Sequence, residues 1–288
     1  MMNTLQGNKD KNEVLKAISG LDMRWTPEGT LTFGDTLFVD EIAARPLERL
    51  RQVALDPQAC VPPDRPLYWM YNGIGPSTRR AAVQQSGLRY ELTLMFPNDV
   101  GRERAKTLGH YHAVYPKDEL GYPEIIEVLH GEGYFYFFNL DWHAHASDFC
   151  LATLAKTGDK LIIPPNLFHG AMVAGDEPLL FADLLPSDIN PVYKRVAQMG
   201  GMAHMLTRTE GWIANPRYSR VGKLNIAHAQ EYPVLGLTRD RPLYTYFVEY
   251  PERLQWLRHP DQFPQIAPEF WQNIKEHVCH ERIVGEPE

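Results

Sequence analysis

Between Leu67 and Leu185 the chain is cut into short β-prone runs: "LYWMYNG", "RYELTLMF", "PEIIEVLH", "GYFYFFNL", "DFCLATL", "KLIIPP", "HGAMVAG" and "PLLFADLL". Most of the breaks between them carry Gly, Pro, Asp or Asn. Short strands at this spacing fold as an all-β sandwich or barrel. The region shows no βαβ alternation and no phosphate-cradling GxxxxGK[ST] loop, so a nucleotide-binding α/β fold is excluded. With 288 residues and 44% hydrophobic content, the chain suits one large domain, or one domain with a substantial extension.

The flanks differ from this centre. Residues 1–65 begin polar, become weakly helical at "NEVLKAISG", and then give short β-rich runs with Gly-containing turns in "RWTPEGTLTFGDTLFVDE". "RPLERLRQVALD" spaces its apolar residues at helical intervals, and "CVPPDRP" breaks the chain before the barrel. Residues 66–190 are expected to form the barrel and residues 191–288 an extension packed on it. In that extension "YPERLQWLRHPDQF" and "PEFWQNIKEHVCHERI" read as short amphipathic helices, each starting near a Pro.

Net charge narrows the partners. The chain carries 29 basic against 36 acidic residues, a formal charge of -7, with no long run of one sign. That gives no footing for nucleic acid or an anionic membrane. No apolar run approaches the length that spans a bilayer, and the N-terminus lacks the apolar core of a secretory signal. Cys60, Cys150 and Cys279 are odd in number and far apart, which fits buried free thiols in a reducing cytoplasm.

The chemistry concentrates in "TLGHYHAVYPKDELGYPEIIEVLHGEGYFYF". Residues i and i+2 of a strand share a face, so His110 and His112 can reach one metal ion. A third ligand must come from a neighbouring strand. Glu124 and Glu127 are the nearby acids, and their opposite parity allows only one of them to serve. Tyr68 and Tyr71 are read as sharing a strand face, and "YFYFF" as barrel core on one side with packing on the other. Lys106, the nearest cation, points away from Thr107. "HAH" at His143 and His145 reads as a solvated turn, and "HVCH" at His277, Cys279 and His280 as an exposed helix end.

The spacing then resembles the two motifs of cupin barrels, HxH-x(3,4)-E-x(6)-G and G-x(5)-PxG-xx-H-xxx-N. Six residues separate Glu124 from Gly131, and Gly158, Pro164 and His169 fall into the second motif, with Asn166 where the pattern has Gly. The resemblance implies a mainly β fold: a single cupin (double-stranded β-helix, jelly-roll) barrel with N-terminal strands and helix and a mixed helical C-terminal extension. Eleven residues, "AVYPKDELGYP", stand between His112 and Glu124 where three or four are usual. Loop-closure entropy grows only logarithmically, so the added length costs on the order of 1 kcal/mol, and the insertion is expected at the mouth of the site.

Within the cupins the chain resembles the archaeal-type phosphoglucose isomerases, through "TLGHYH", "PEIIEVLHGEGYFYF", "IPPNLFH" and "AGDEPLLFADLLPSD". Those enzymes interconvert glucose 6-phosphate and fructose 6-phosphate with one divalent metal, and a homodimer is expected from the likeness. By that likeness His110, His112, Glu124 and His169 are the metal ligands, for Fe, Mn, Ni, Co or Zn rather than Mg or Ca. Glu124 is also the implied base near C1 and C2. Thr93, Thr107 and Gly109 match phosphate positions, and Tyr68 and Tyr193 match substrate-lining tyrosines. Three matches fail: two family tyrosines are Ile126 and Leu185 here, and a family histidine is Pro191. Two alternatives therefore stand beside the isomerase: a cupin isomerase or epimerase of another sugar or sugar acid, and a non-enzymatic sugar-binding cupin.

Overall fold

The computed structural model describes residues 2–60, 66–113 and 120–268. Its centre is a six-stranded antiparallel sheet. In spatial order the strands are Lys160–Ile163, Glu124–His130, Leu179–Pro186, Leu88–Met95, Tyr68–Pro76 and Leu37–Arg45. A second sheet orders Phe168–Val173, Glu132–Phe138, Cys150–Lys156 and Leu224–His228, the last running parallel to its neighbour. Bridges Lys106↔Met172 and His110↔His169 lay the segment before Tyr111–His112 along the edge of this sheet. Pro191–Val192 pairs with Tyr111–His112 beyond it. The two sheets face each other as a jelly roll, the mainly β cupin architecture that the spacing implies.

Strand parity sorts the side chains into three packed layers. On the outer face of the large sheet Tyr90, Leu92, Leu94, Ile125 and Leu184 are buried against Leu15 of the N-terminal helix Met2–Ser19 and against Leu243, Phe247 and Leu254. Between the sheets Ile126, Phe135, Phe137, Ala171 and Phe181 form the inner layer. Outside the small sheet Tyr136, Phe138, Phe168 and Met172 pack on Val196, Met199 and Met202. Both faces of "YFYFF" are therefore buried. Each fully buried Phe adds about 1.5–3 kcal/mol over exposure.

The sheet reaches back to Leu37, inside the segment that precedes the barrel in sequence. Strand Leu37–Arg45 pairs along Tyr68–Pro76 and leaves Arg45 opposite Tyr68. Among the described residues, no helix is long and apolar enough to cross a membrane.

Three expectations need correction. Tyr68 and Tyr71 face opposite ways, because a separation of three is odd in a strand. Tyr68 looks between the sheets, while Tyr71 joins the outer core and accepts a hydrogen bond from the Leu31 amide at 3.2 Å. Cys60 is exposed, while Cys150 is buried. "YPERLQWLRHPDQF" forms 3-10 turns, Pro251–Arg258 and Pro260–Gln262, after an unanticipated α-helix, Leu243–Glu249. Pro251 and Pro260 have no N–H to donate, which favours short turns over one continuous helix. Helix Arg80–Ser86 was also unanticipated, and ends at Gly87 in the left-handed region. "PEFWQNIKEHVCHERI" beyond residue 268, with Cys279 and the "HVCH" histidines, lies outside the described residues.

Gly131 turns the chain from strand Glu124–His130 in the large sheet to Glu132–Phe138 in the small one. Its φ is +81°, and a Cβ there would sit 2.3 Å from the Pro178 carbonyl oxygen. Gly131→Ala is expected to lower stability by about 1–3 kcal/mol. Urea unfolding measures this, and an unchanged midpoint would count against a steric need for glycine.

Candidate metal centre

Three chain segments bring the first-motif and second-motif residues to one point. His110 and His112 lie along the edge of the small sheet, and His169 sits on the next strand, opposite His110. Glu124 opens its strand in the facing sheet, paired with Ile163. The ligand atoms of His110, His112, Glu124 and His169 all lie within 4.8 Å of one another. Glu127, of opposite parity, points outward to Lys160 Nζ at 2.6 Å and accepts from the Leu243 amide at 2.9 Å.

Two of the imidazoles are oriented by main-chain oxygens. His112 Nδ1 lies 2.7 Å from the Tyr122 carbonyl, and His169 Nδ1 lies 3.1 Å from the Leu167 carbonyl. A proton on each Nδ1 leaves Nε2 as a lone-pair donor aimed at the common point. The Nε2 atoms of His110 and His169 are 3.1 Å apart, and His112 Nε2 is 3.1 Å from Glu124 Oε2. His112 Nε2 is nonetheless buried without a hydrogen-bond partner. Converging nitrogen lone pairs and an orphaned buried nitrogen fit a cation at their centre. Three imidazoles and one carboxylate suit a divalent transition metal.

Electrostatics agree. Burial holds His112 down to about 4 and His169 to about 3, and pushes His110 well below its ordinary value. All three are neutral at pH 7, as ligands must be. Burial pushes the Glu124 carboxyl up to about 7. The Glu124 proton must leave before a cation binds, so cation affinity falls as pH drops below about 7, by up to about tenfold per unit. Above that value it levels off. Calorimetric titration of Mn²⁺ at pH 6, 7 and 8 checks this, and equal affinity at all three would overturn it.

The connection from His112 to Glu124 is anchored where it rejoins the sheet. Residues 114–119 lie outside the described residues. The Tyr122 carbonyl orients His112, and the Gly121 amide donates to Asn166 Oδ1. Asn166 has φ +66°, a left-handed conformation that Asn tolerates better than most residues. It therefore fills the position where the cupin pattern has Gly and also ties down the insertion.

A cavity of about 370 Å³ opens from the centre between the sheets. Tyr68, Thr93, Thr107 and Tyr193 line it, as do Ile126, Leu185 and Pro191. The Tyr193 ring lies 5.3 Å from that of His110. The Thr107 hydroxyl accepts from the Ala171 amide at 3.0 Å and keeps its own proton to give. Gly109 lines an adjoining hollow instead. Lys106 is committed elsewhere, to the Val53 carbonyl at 2.6 Å and to Glu103. His143 and His145 lie exposed in the turn that Asp141 and Ala146 close.

Sequence reasoning missed Asp183 and Glu91. Asp183 hydrogen-bonds Glu124, and the Thr93 hydroxyl lies 3.4 Å from its Oδ2. Burial, then repulsion from Glu124, raises the Asp183 carboxyl well above its ordinary value. Glu91 lines the same wall and pairs with Arg89. The available signal was one acid within each mostly apolar run, "LLFADLLP" and "RYELTLMF", since acids are seldom fully buried without a partner.

The sheets and the ligand set define a cupin with a site able to hold a metal ion. A sequence profile of the glucose-6-phosphate isomerase (GPI) family matches residues 50–222, well over half of the chain. The chain belongs to this family of isomerases. It is 25% identical over 140 residues to the glucose-6-phosphate isomerase of Pyrococcus furiosus, covering 48% of this chain and 68% of that protein. Identity to the enzyme of the same name from Thermococcus litoralis is 26% over 117 residues, 41% of this chain and 56% of that one. The chain thus spans between about half and two thirds of the length of these relatives. Among solved structures, Bacillus subtilis oxalate decarboxylase is similar at a TM-score of 0.30 and 21% identity, over 45% of this chain and 28% of that one.

Proposed function

We propose that the protein is a metal-dependent aldose–ketose isomerase that interconverts glucose 6-phosphate and fructose 6-phosphate. The observation that carries this reading is the meeting of His110, His112, Glu124 and His169 at one end of a cavity, in a chain of the glucose-6-phosphate isomerase family. A divalent metal (Fe, Mn, Ni, Co or Zn) held by these four residues would polarise the sugar's carbonyl and hydroxyl oxygens.

The chain's own residues supply the rest. Glu124 takes the proton from C2 of the aldose and returns one to C1, through a cis-enediol. Asp183 is its hydrogen-bond partner and holds the carboxyl in place. Tyr68 and Tyr193 flank the sugar, and Thr93, Thr107 and Gly109 face its phosphate end. The inner wall of Phe135, Phe137 and Ile163 keeps bulk water away. Loading the apo-protein with each of the five metals and assaying fructose 6-phosphate formation tests the reading. No turnover with any of them overturns it.

A second reading, isomerisation or epimerisation of another sugar or sugar acid, is favoured by Ile126, Leu185 and Pro191 on the cavity wall. A thermal-shift screen of phosphorylated against free sugars separates the two, because a bound ligand raises Tm. A purely sugar-binding cupin would bind without exchanging hydrogen at C2 in deuterated water. The assembly we propose is a homodimer in the cytoplasm. Strand Leu37–Arg45 ends the large sheet and offers an edge for pairing. Sedimentation of only a 33.0 kDa species would overturn the dimer.

A further inference from the structure

Strand register sets the side chains of the large sheet's cavity wall in rows. Asp183 lies opposite Glu91 on one side and Ile126 on the other. Glu124 stands two residues before Ile126, and Thr93 two residues after Glu91. The Asp183–Glu91 row therefore falls between Glu124 and Thr93. Asp183 spans that gap, hydrogen-bonding Glu124 and lying 3.4 Å from the Thr93 hydroxyl. Glu91 spans nothing. It is only 8% exposed, yet it lines the cavity. Arg89, on the same strand face, pairs with its Oε1 and donates to the Ser187 carbonyl at 3.1 Å. Among the described residues no other donor reaches the Glu91 carboxylate. Its second oxygen is left with the cavity as its source of donors.

We infer that Glu91 is a specificity-determining residue that accepts a hydrogen bond from a sugar hydroxyl on C3 or C4, with Arg89 as its positioning residue. This placement rests on the isomerase reading for how the sugar lies. With C1 and C2 at Glu124 and the phosphate toward Thr93 and Thr107, the middle carbons face the Asp183–Glu91 row. A carboxylate has about four lone-pair sites, and burying it is costly unless donors meet them. Arg89 meets one side, and a polyol carries the hydroxyls that meet the other. A hydrogen bond to a charged acceptor is stronger than one between neutral groups, so one hydroxyl here carries discrimination. The Arg89 guanidinium also offsets the Glu91 charge, so the pair adds little repulsion toward a phosphate nearby. From the facing sheet Phe135 and Phe137 present an apolar surface to the same cavity. The two walls together suit a ligand with hydroxyls along one edge and C–H bonds on the other face, which is the chemistry of a sugar.

The test uses the full-length, metal-loaded wild type and the variants Glu91→Ala and Glu91→Gln. Calorimetry measures affinity for fructose 6-phosphate and for its 3-deoxy and 4-deoxy analogues, and circular dichroism checks that each variant is folded. Glu91→Ala is expected to lose about 10- to 100-fold in affinity for fructose 6-phosphate. For the analogue that lacks the recognised hydroxyl, the same variant should lose nothing, because the contact is already absent. Glu91→Gln still presents an acceptor oxygen and should recover part of the loss. If the Ala variant does not fold, the Gln variant gives the same comparison, a loss confined to ligands that carry the hydroxyl. Equal losses for all three ligands overturn the inference, since Glu91 would then only shape the cavity. Undiminished binding of fructose 6-phosphate in both variants overturns it too. Turnover of glucose 6-phosphate by the wild type tests the isomerase reading separately. A hydroxyl-selective loss without turnover keeps Glu91 as the hydroxyl acceptor and discards the isomerase, while turnover with equal losses does the reverse. A wild type that binds none of the three ligands overturns both.

Discussion

Glu124→Gln should lower kcat for glucose 6-phosphate isomerisation by about 10²- to 10⁴-fold, the range that a positioned proton-transfer group supplies. Gln keeps the shape of the side chain and can accept hydrogen bonds, but it cannot carry a proton between C2 and C1. Burial, which pushes the Glu124 carboxyl up, suits the base role proposed for it, because a more basic carboxylate takes a proton more readily. The variant also weakens one metal ligand. Turnover is therefore measured at saturating metal with metal content determined per chain. Near wild-type kcat in a metal-replete Gln variant would remove Glu124 from the chemistry.

His169→Ala should abolish high-affinity metal binding. Loss of a partner that merely orients a ligand costs about 10- to 100-fold in affinity or activity, and removal of a ligand should exceed the upper figure. The effect reaches stability by mass action. At a metal concentration about 1,000 times the dissociation constant, the wild type gains about 4 kcal/mol, and a variant binding 100-fold more weakly gains only about 1.4 kcal/mol. The metal-dependent rise in Tm should shrink accordingly. An equal rise in both proteins would show that His169 does not bind the ion.

The parts of the site governed by strand parity were legible. His110 and His112 share a face, and Glu124 turns inward where Glu127 turns out to Lys160, because alternation is a property of any strand. The alternation of "YFYFF" was legible for the same reason. What stayed hidden depends on register across the fold. Asp183 reaches Glu124 because strand Leu179–Pro186 lies between Leu88–Met95 and Glu124–His130, a neighbourhood that local sequence does not encode. Arg45 reaches the cavity through its pairing with Tyr68, more than twenty residues away in the chain. Tyr71 stands an odd number of residues from Tyr68, so parity alone places it on the opposite face. The C-terminal turns were missed because proline both starts helices and prevents their continuation.

The tie between Gly121 and Asn166 has a consequence for how this barrel can vary. Because the Tyr122 carbonyl and Asn166 fix the returning end of the connection, the placement of His112 depends on its last few residues and not on its total length. Chains that differ in length ahead of Gly121 can keep the imidazole geometry as it is, provided these two contacts are kept.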